Sequence, residues 1–163
     1  MQSVSSDHFR DGMRFLTGAV TIVTTDGEKG RGGFTATAVA SVTDEPPTVL
    51  VCINKQNQIN EIIKDNGVFA INVLKNGAED LSNRFAGFDK VPFEQRLEKG
   101  NWKTSEMNLP VLEDALVTFE CRLQQIVESG THNVVFGEVK SVIINEEKPP
   151  LLYFNRAYTS VLG

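Results

Sequence analysis

The chain has few of the residues from which metal and thiol sites are built. Its 163 residues include only two histidines and two cysteines. His8 and His132 alone argue against a histidine-based metal site. Cys52 and Cys121 lie in apolar, strand-like runs and read as reduced core residues. There is no C-x-x-C pair, no H-E-x-x-H and no Walker A loop. No G-x-S-x-G elbow marks a serine hydrolase. No G-x-G-x-x-G follows a strand, so a Rossmann nicotinamide site has no support. Gly27, Gly30, Gly32 and Gly33 are close together, but their spacing does not match and no helix follows; they read as a hairpin turn. No apolar run is long enough to span a bilayer. The N-terminal MQSVSSDHFRDGM is polar and lacks the apolar centre of a signal peptide. The net charge is -5 and Lys and Arg are not clustered, which argues against nucleic acid or an anionic membrane as partner. Together these absences place the expected location in the cytoplasm.

What is present fits one domain over residues 1–163, with 40% hydrophobic and 23% charged residues. The most informative stretch is GFTATAVASVTDEPPTVLVCIN, residues 33–54. It reads as two strands around a tight turn. The first, through Thr35, Ala36, Thr37, Ala38, Val39, Ala40 and Ser41, is built of small residues. Small side chains leave room for a planar ligand to lie against the backbone and hydrogen-bond along its edge. Close sheet packing explains the same composition equally well. Pro46 and Pro47 end that strand and fix the turn. Residues 48–53 are apolar on both faces and are expected to be fully buried.

Elsewhere, Ser5 or Ser6 caps a predicted helix reaching about Thr17, with Phe9, Met13 and Leu16 on one face. Residues 19–25 and 68–74 read as strands, residues 58–64 and 78–85 as short helices. Residues 88–112 show little periodicity and read as an excursion over the surface or across a subunit boundary. Two long strands, 115–127 and 132–144, flank the turn ESG, and a short strand covers 151–154. Many strands with few short helices suggest a mainly β fold, a barrel with peripheral helices.

Seven blocks, in order, resemble one family. They are FRDGMRFLTGAVTIVTTDG, the 33–54 block, GVFAINVL (67–74), LSNRFAG (81–87), ALVTFECRL (115–123), GTHNVVFGEV (130–139) and PLLYFNRAY (150–158). The chain resembles the small NAD(P)H:flavin reductases. Within them it is similar to the reductase components of 4-hydroxyphenylacetate 3-monooxygenase and pyrimidine-degradation monooxygenase systems. The resemblance implies a split antiparallel β-barrel (the FMN-binding split barrel), usually a homodimer, with flavin near the subunit interface.

It also implies roles for particular residues. Thr35, Ala36 and Thr37 would lie along the isoalloxazine edge, with Ser41 at the strand's far end. Asn54, Lys55, Gln56 and Asn57 would handle the flavin phosphate, although many relatives carry serines where this chain has Gln56 and Asn57. An ordinary loop with Asn57 as helix cap is a compatible reading, because a helix N-terminus favours an anion. Arg84 would be a second phosphate contact, with a surface ion pair as the plain alternative. Phe85 and Ala86 would flank the flavin. His132, starting a strand after a glycine turn, is the catalytic candidate for the nicotinamide side; the plain alternative is a strand-end histidine in solvent. Tyr153, Arg156 and Tyr158, beside Phe154, would stack on nicotinamide or adenine and pair a phosphate; they could equally pack an edge strand on the barrel.

The expected activity is reduction of free FMN or FAD by NADH or NADPH. The reduced flavin would then diffuse to a separate flavin-dependent oxygenase. The alternative is a flavin-binding protein of the same barrel class that does not reduce flavin. A haem or lipophilic-ligand carrier would want a larger apolar cavity and an axial ligand.

Overall fold

The computed structural model describes residues 3–145 and 147–161. Helix α1 is Ser6–Met13, started by Ser5, whose Oγ accepts from the His8 N–H at 3.2 Å. Then follow β1 (Gly18–Ala19), β2 (Thr21–Thr25), β3 (Gly32–Ala36), β4 (Val39–Asp44), β5 (Pro47–Asn54) and α2 (Ile59–Asn66). After these come β6 (Val68–Val73), α3 (Glu79–Ala86), a 3-10 turn (Phe93–Glu98), β7 (Trp102–Thr104) and β8 (Pro110–Leu112). The chain ends with β9 (Val117–Ser129), β10 (His132–Ile144), β11 (Leu152–Phe154) and β12 (Ala157–Thr159).

Seven strands form one antiparallel sheet in the order β3-β2-β6-β9-β10-β5-β4. Its two outer strands, β3 and β4, follow each other in the chain. Only Thr37 and Ala38 separate them, so the sheet must curl until its edges approach. The Ala38 carbonyl accepts from Cys52 N–H at 3.0 Å, joining this corner to β5. The expectation of one small-residue strand from residue 33 to residue 41 is therefore corrected: the run is two strands on opposite sheet edges. Small side chains let the chain turn this tightly. Alternation in β5 also corrects the expectation of full burial, since Leu50 and Cys52 are half-buried on the outer face.

The barrel interior holds Val23, Phe34, Val51, Ile53, Ile59, Ile63, Phe69, Ile71, Cys121 and Val135. Gly137 makes room for this packing, because a Cβ there would sit 2.4 Å from Phe69 Cζ. Burial pushes the Cys121 thiol up to about 12, so it is an inert core group. A second cluster, with Val20, Ile22, Leu74, Phe85, Leu112 and Leu151, joins the large sheet to α3 and to the small β1-β11-β12 sheet. Asn72 is fully buried and fully paired: its Nδ2 donates to Ile22 O and Thr24 Oγ1, and its Oδ1 accepts from Leu112 N and Thr118 Oγ1.

Residues 88–112, expected to be irregular, contain the 3-10 turn and the β7–β8 hairpin. The terminal strand expected at 151–154 gains a partner, β12, across a turn at Asn155 and Arg156, both at positive φ. Helix α1 stops at Met13, short of the expected Thr17, and has no buried residue. Among the described residues, no helix is long and apolar enough to cross a membrane.

Candidate functional site

Two cavities meet at the free edge of β3. The first, about 410 Å³, is polar and is lined by Phe34 and Thr35 of β3, by Asn54, Gln56, Asn57 and Gln58, by Phe85 and Ala86, and by Phe93 and Arg96. The second, about 240 Å³, is mostly apolar and is lined by Val20, Thr35, Thr37, Ser82, Ala86, Phe88, Tyr153 and Tyr158. Thr35 and Ala86 belong to both walls. Because β3 is a sheet edge, alternate backbone N–H and C=O groups have no ladder partner on that side. The Thr35 hydroxyl is not among the free groups, since it donates to Ser82 O at 2.6 Å.

The floor of the polar cavity is a tight loop ahead of α2. Gln56 N–H donates to Asn54 Oδ1 at 2.9 Å, and Ile59 N–H to Asn57 Oδ1 at 3.1 Å. Asn57 thus serves as the side-chain cap that Gln58, at the N-cap position, does not provide. The opposite wall is the 3-10 turn, held by two arginines. Arg84 donates from Nε to Arg96 O at 3.0 Å and from Nη2 to Gln95 O at 2.8 Å, with Asp89 3.7 Å away. Arg96 donates from Nη1 to Phe85 O at 3.1 Å and lies over the Phe93 ring, 5.3 Å from its centre. Its Nε is buried and has no hydrogen-bond partner among the described residues. Burial holds the Arg96 guanidinium below the usual arginine range, with Asp89 and Glu94 pulling the other way. It remains a cation at neutral pH.

The placement of the sequence candidates is uneven. Thr35, Asn54, Gln56, Asn57, Phe85 and Ala86 line the polar cavity, and Thr37, Tyr153 and Tyr158 line the apolar one. Ala36 points into the core. Ser41 is exposed on β4, at the other edge of the sheet. Lys55 turns away to pair with Glu128 at 2.8 Å, which holds that carboxyl below its usual range. Arg156 is exposed and paired with Asp11 at 2.8 Å. Arg84 lines neither cavity, because its guanidinium is committed to the 3-10 turn. His132 is exposed, with Nδ1 2.8 Å from Thr131 Oγ1. It lies directly across from Asn54 in the β10–β5 register; Asn54 lines the polar cavity and His132 does not. Among the residues missed from sequence, Arg96 matters most, together with Phe93, Phe88 and Ser82. The Ser82 hydroxyl lies 2.9 Å from Tyr158 OH, which donates to Asn83 Oδ1 at 2.7 Å and so fixes the tyrosine in the apolar wall.

The profile of the flavin reductase like domain matches residues 13–162. The chain belongs to this flavin reductase family. It is 47% identical over 161 residues to the FMN reductase (NADH) RutF of Ancylobacter novellus, covering 99% of this chain and 88% of that one. Among solved structures, the flavin reductase PheA2 superposes with a TM-score of 0.88 at 31% identity, covering 98% of this chain and 100% of that one. Nitrilotriacetate monooxygenase component B from Mycobacterium thermoresistibile superposes with a TM-score of 0.87 at 26% identity, covering 96% and 86%. As in other flavin reductase-like domains, the curled seven-stranded sheet is a split β-barrel.

Proposed function

We propose that this chain reduces free FMN with NADH. The observation that carries the reading is the pair of cavities sharing Thr35 and Ala86 on the free edge of β3, in a chain of this family. A flavin phosphate fits the polar end, because the Arg96 guanidinium brings a positive charge to that wall. The start of α2 adds its positive end there. The flavin ring fits the strand edge, whose free backbone groups match alternating donors and acceptors. Nicotinamide fits the apolar cavity, where Tyr153, Tyr158 and Phe88 offer aromatic faces.

When bound, the flavin accepts a hydride from the nicotinamide and leaves as the reduced product. The residues lining the two cavities would bind and orient the reactants and exclude water; hydride transfer asks for no strong acid or nucleophile from the chain. A separate flavin-dependent oxygenase consumes the reduced flavin, the division of labour that the name of the M. thermoresistibile relative implies for that protein. The working form is a cytoplasmic homodimer. The dimer reading is supported by the exposed apolar side chains Phe9, Met13, Phe15 and Leu16 of α1 and the segment after it.

Purified protein is mixed with NADH or NADPH and with FMN, FAD or riboflavin, and nicotinamide oxidation is followed at its absorbance band. Oxidation of NADH that saturates in free FMN is the expected result. A flavin that binds without any nicotinamide oxidation would leave a non-catalytic flavin-binding protein and overturn the proposal.

A further inference from the structure

Asn60 sits in the first turn of α2 and is 5% exposed. Its side chain turns back onto the loop at the floor of the polar cavity. Nδ2 donates to the main-chain oxygen of Asn54 at 2.8 Å and to that of Asn57 at 2.7 Å. These are the two ends of the loop. The Asn57 oxygen also accepts from the Asn60 N–H at 3.1 Å. The orientation of the Asn60 amide is itself held, because Oδ1 accepts from Asn133 Nδ2 at 2.9 Å. Asn133 lies in β10, next to His132 and across from Ile53. One side-chain amide therefore ties α2, the loop and the barrel wall together, with both of its donor hydrogens used.

In a trans peptide, C=O and N–H point in opposite directions. Pulling the Asn57 oxygen toward Asn60 turns the Gln58 N–H the other way. Gln58 lines the polar cavity, and Asn60 does not. We infer that Asn60 is a positioning residue for the flavin phosphate, holding the 54–57 loop so that the Gln58 N–H faces the anion. The inference rests on the reading that the phosphate occupies this end of the cavity. A loop residue that only supported the fold would affect phosphorylated and unphosphorylated flavins alike.

The test is a pair of KM values, for FMN and for riboflavin, at saturating NADH. Wild-type protein and Arg96→Ala first establish the phosphate reading: the wild type should prefer FMN, and Arg96→Ala should lose that preference. With those in hand, Asn60→Leu, which matches the amide in size and removes its polar atoms, is expected to raise the FMN KM about tenfold. Its riboflavin KM should change by less than about twofold. If Asn60→Leu does not fold, Asn133→Leu takes its place. It frees the Asn60 amide to rotate and should raise the FMN KM alone by about threefold. Equal changes for both flavins, or none, would overturn the role of Asn60 while leaving the phosphate reading standing. A wild type that takes FMN and riboflavin equally would sink the phosphate reading first.

Discussion

Arg96 is the only cation among the described residues that line the polar cavity. Removing a charge-assisted hydrogen bond costs about 1.5–3 kcal/mol, so Arg96→Ala is expected to raise the FMN KM by roughly ten- to a hundredfold. Riboflavin, which has no phosphate, should show the smaller change; steady-state titration of both flavins checks this. Part of any shared loss would come from the turn itself, since Arg96 also bonds Phe85 O. His132 calls for a different expectation. It stands across from Asn54, exposed at the start of β10, with Nδ1 bonded to Thr131 Oγ1 at 2.8 Å. If it reaches the nicotinamide, His132→Ala should lower kcat/KM for NADH several-fold, on the scale of one lost hydrogen bond, and leave the FMN KM alone. Unchanged NADH kinetics would remove it from the site.

At the scale of elements, alternation and turn residues made the larger strands legible. The expected strands at 68–74 and 132–144 match β6 and β10 to within a residue. The corner at Thr37 and Ala38 was not legible, because a run of small residues keeps the same local pattern whether it continues or folds over. The same holds for Arg96. It sits in a turn without helical or strand period, whereas Arg84 sits in a recognisable block and drew the phosphate role. In the structure Arg84 clamps the turn, and Arg96 lines the polar cavity. The lining residues Asn54, Gln56 and Asn57 were legible through the family resemblance, which gives the segment at the end of the buried strand the phosphate role; residue types alone read it as a loop and helix cap. Packing of β3 against α3 and the turn explains Gly32 and Gly33, which sequence spacing left as a plain turn. A Cβ on Gly33 would lie 2.8 Å from Phe85 Cε1 and 2.9 Å from the Val23 carbonyl, and the carbonyl cannot rotate away. Gly33→Ala is therefore expected to destabilise the fold by about 1–3 kcal/mol, read from urea unfolding, and to weaken FMN binding. Gly12→Ala in α1, where a Cβ meets nothing within 4 Å, is the contrasting substitution and should be neutral or stabilising by up to ~1 kcal/mol.

At the scale of the whole molecule, α1 poses a physical problem. It has eight residues and none of them is buried. A helix this short is not stable in water without packing on one face. Its apolar side chains nonetheless stay in solvent: Phe9 is 58% exposed and Leu16, just beyond the helix, 67%. Phe15 meets Phe154 edge-on at 6.3 Å, and Arg156 reaches Asp11, so the segment is docked beside the C-terminal hairpin and the apolar cavity. A second copy of the chain covering this face would bury those side chains and enclose the nicotinamide end of the site. Each chain has a mass of 18.0 kDa, so light scattering after gel filtration should give about twice that value for the wild type. Phe9→Glu with Leu16→Glu places two charges in the covered face and should give the monomer mass. NADH oxidation should fall with the dimer, because the apolar cavity then opens to water, while FMN binding at the Arg96 end is kept. A double variant that keeps both the dimer mass and full turnover would place the interface elsewhere. The exposed outer strand β4, the other edge of the sheet, would then be the next surface to test for joining two copies.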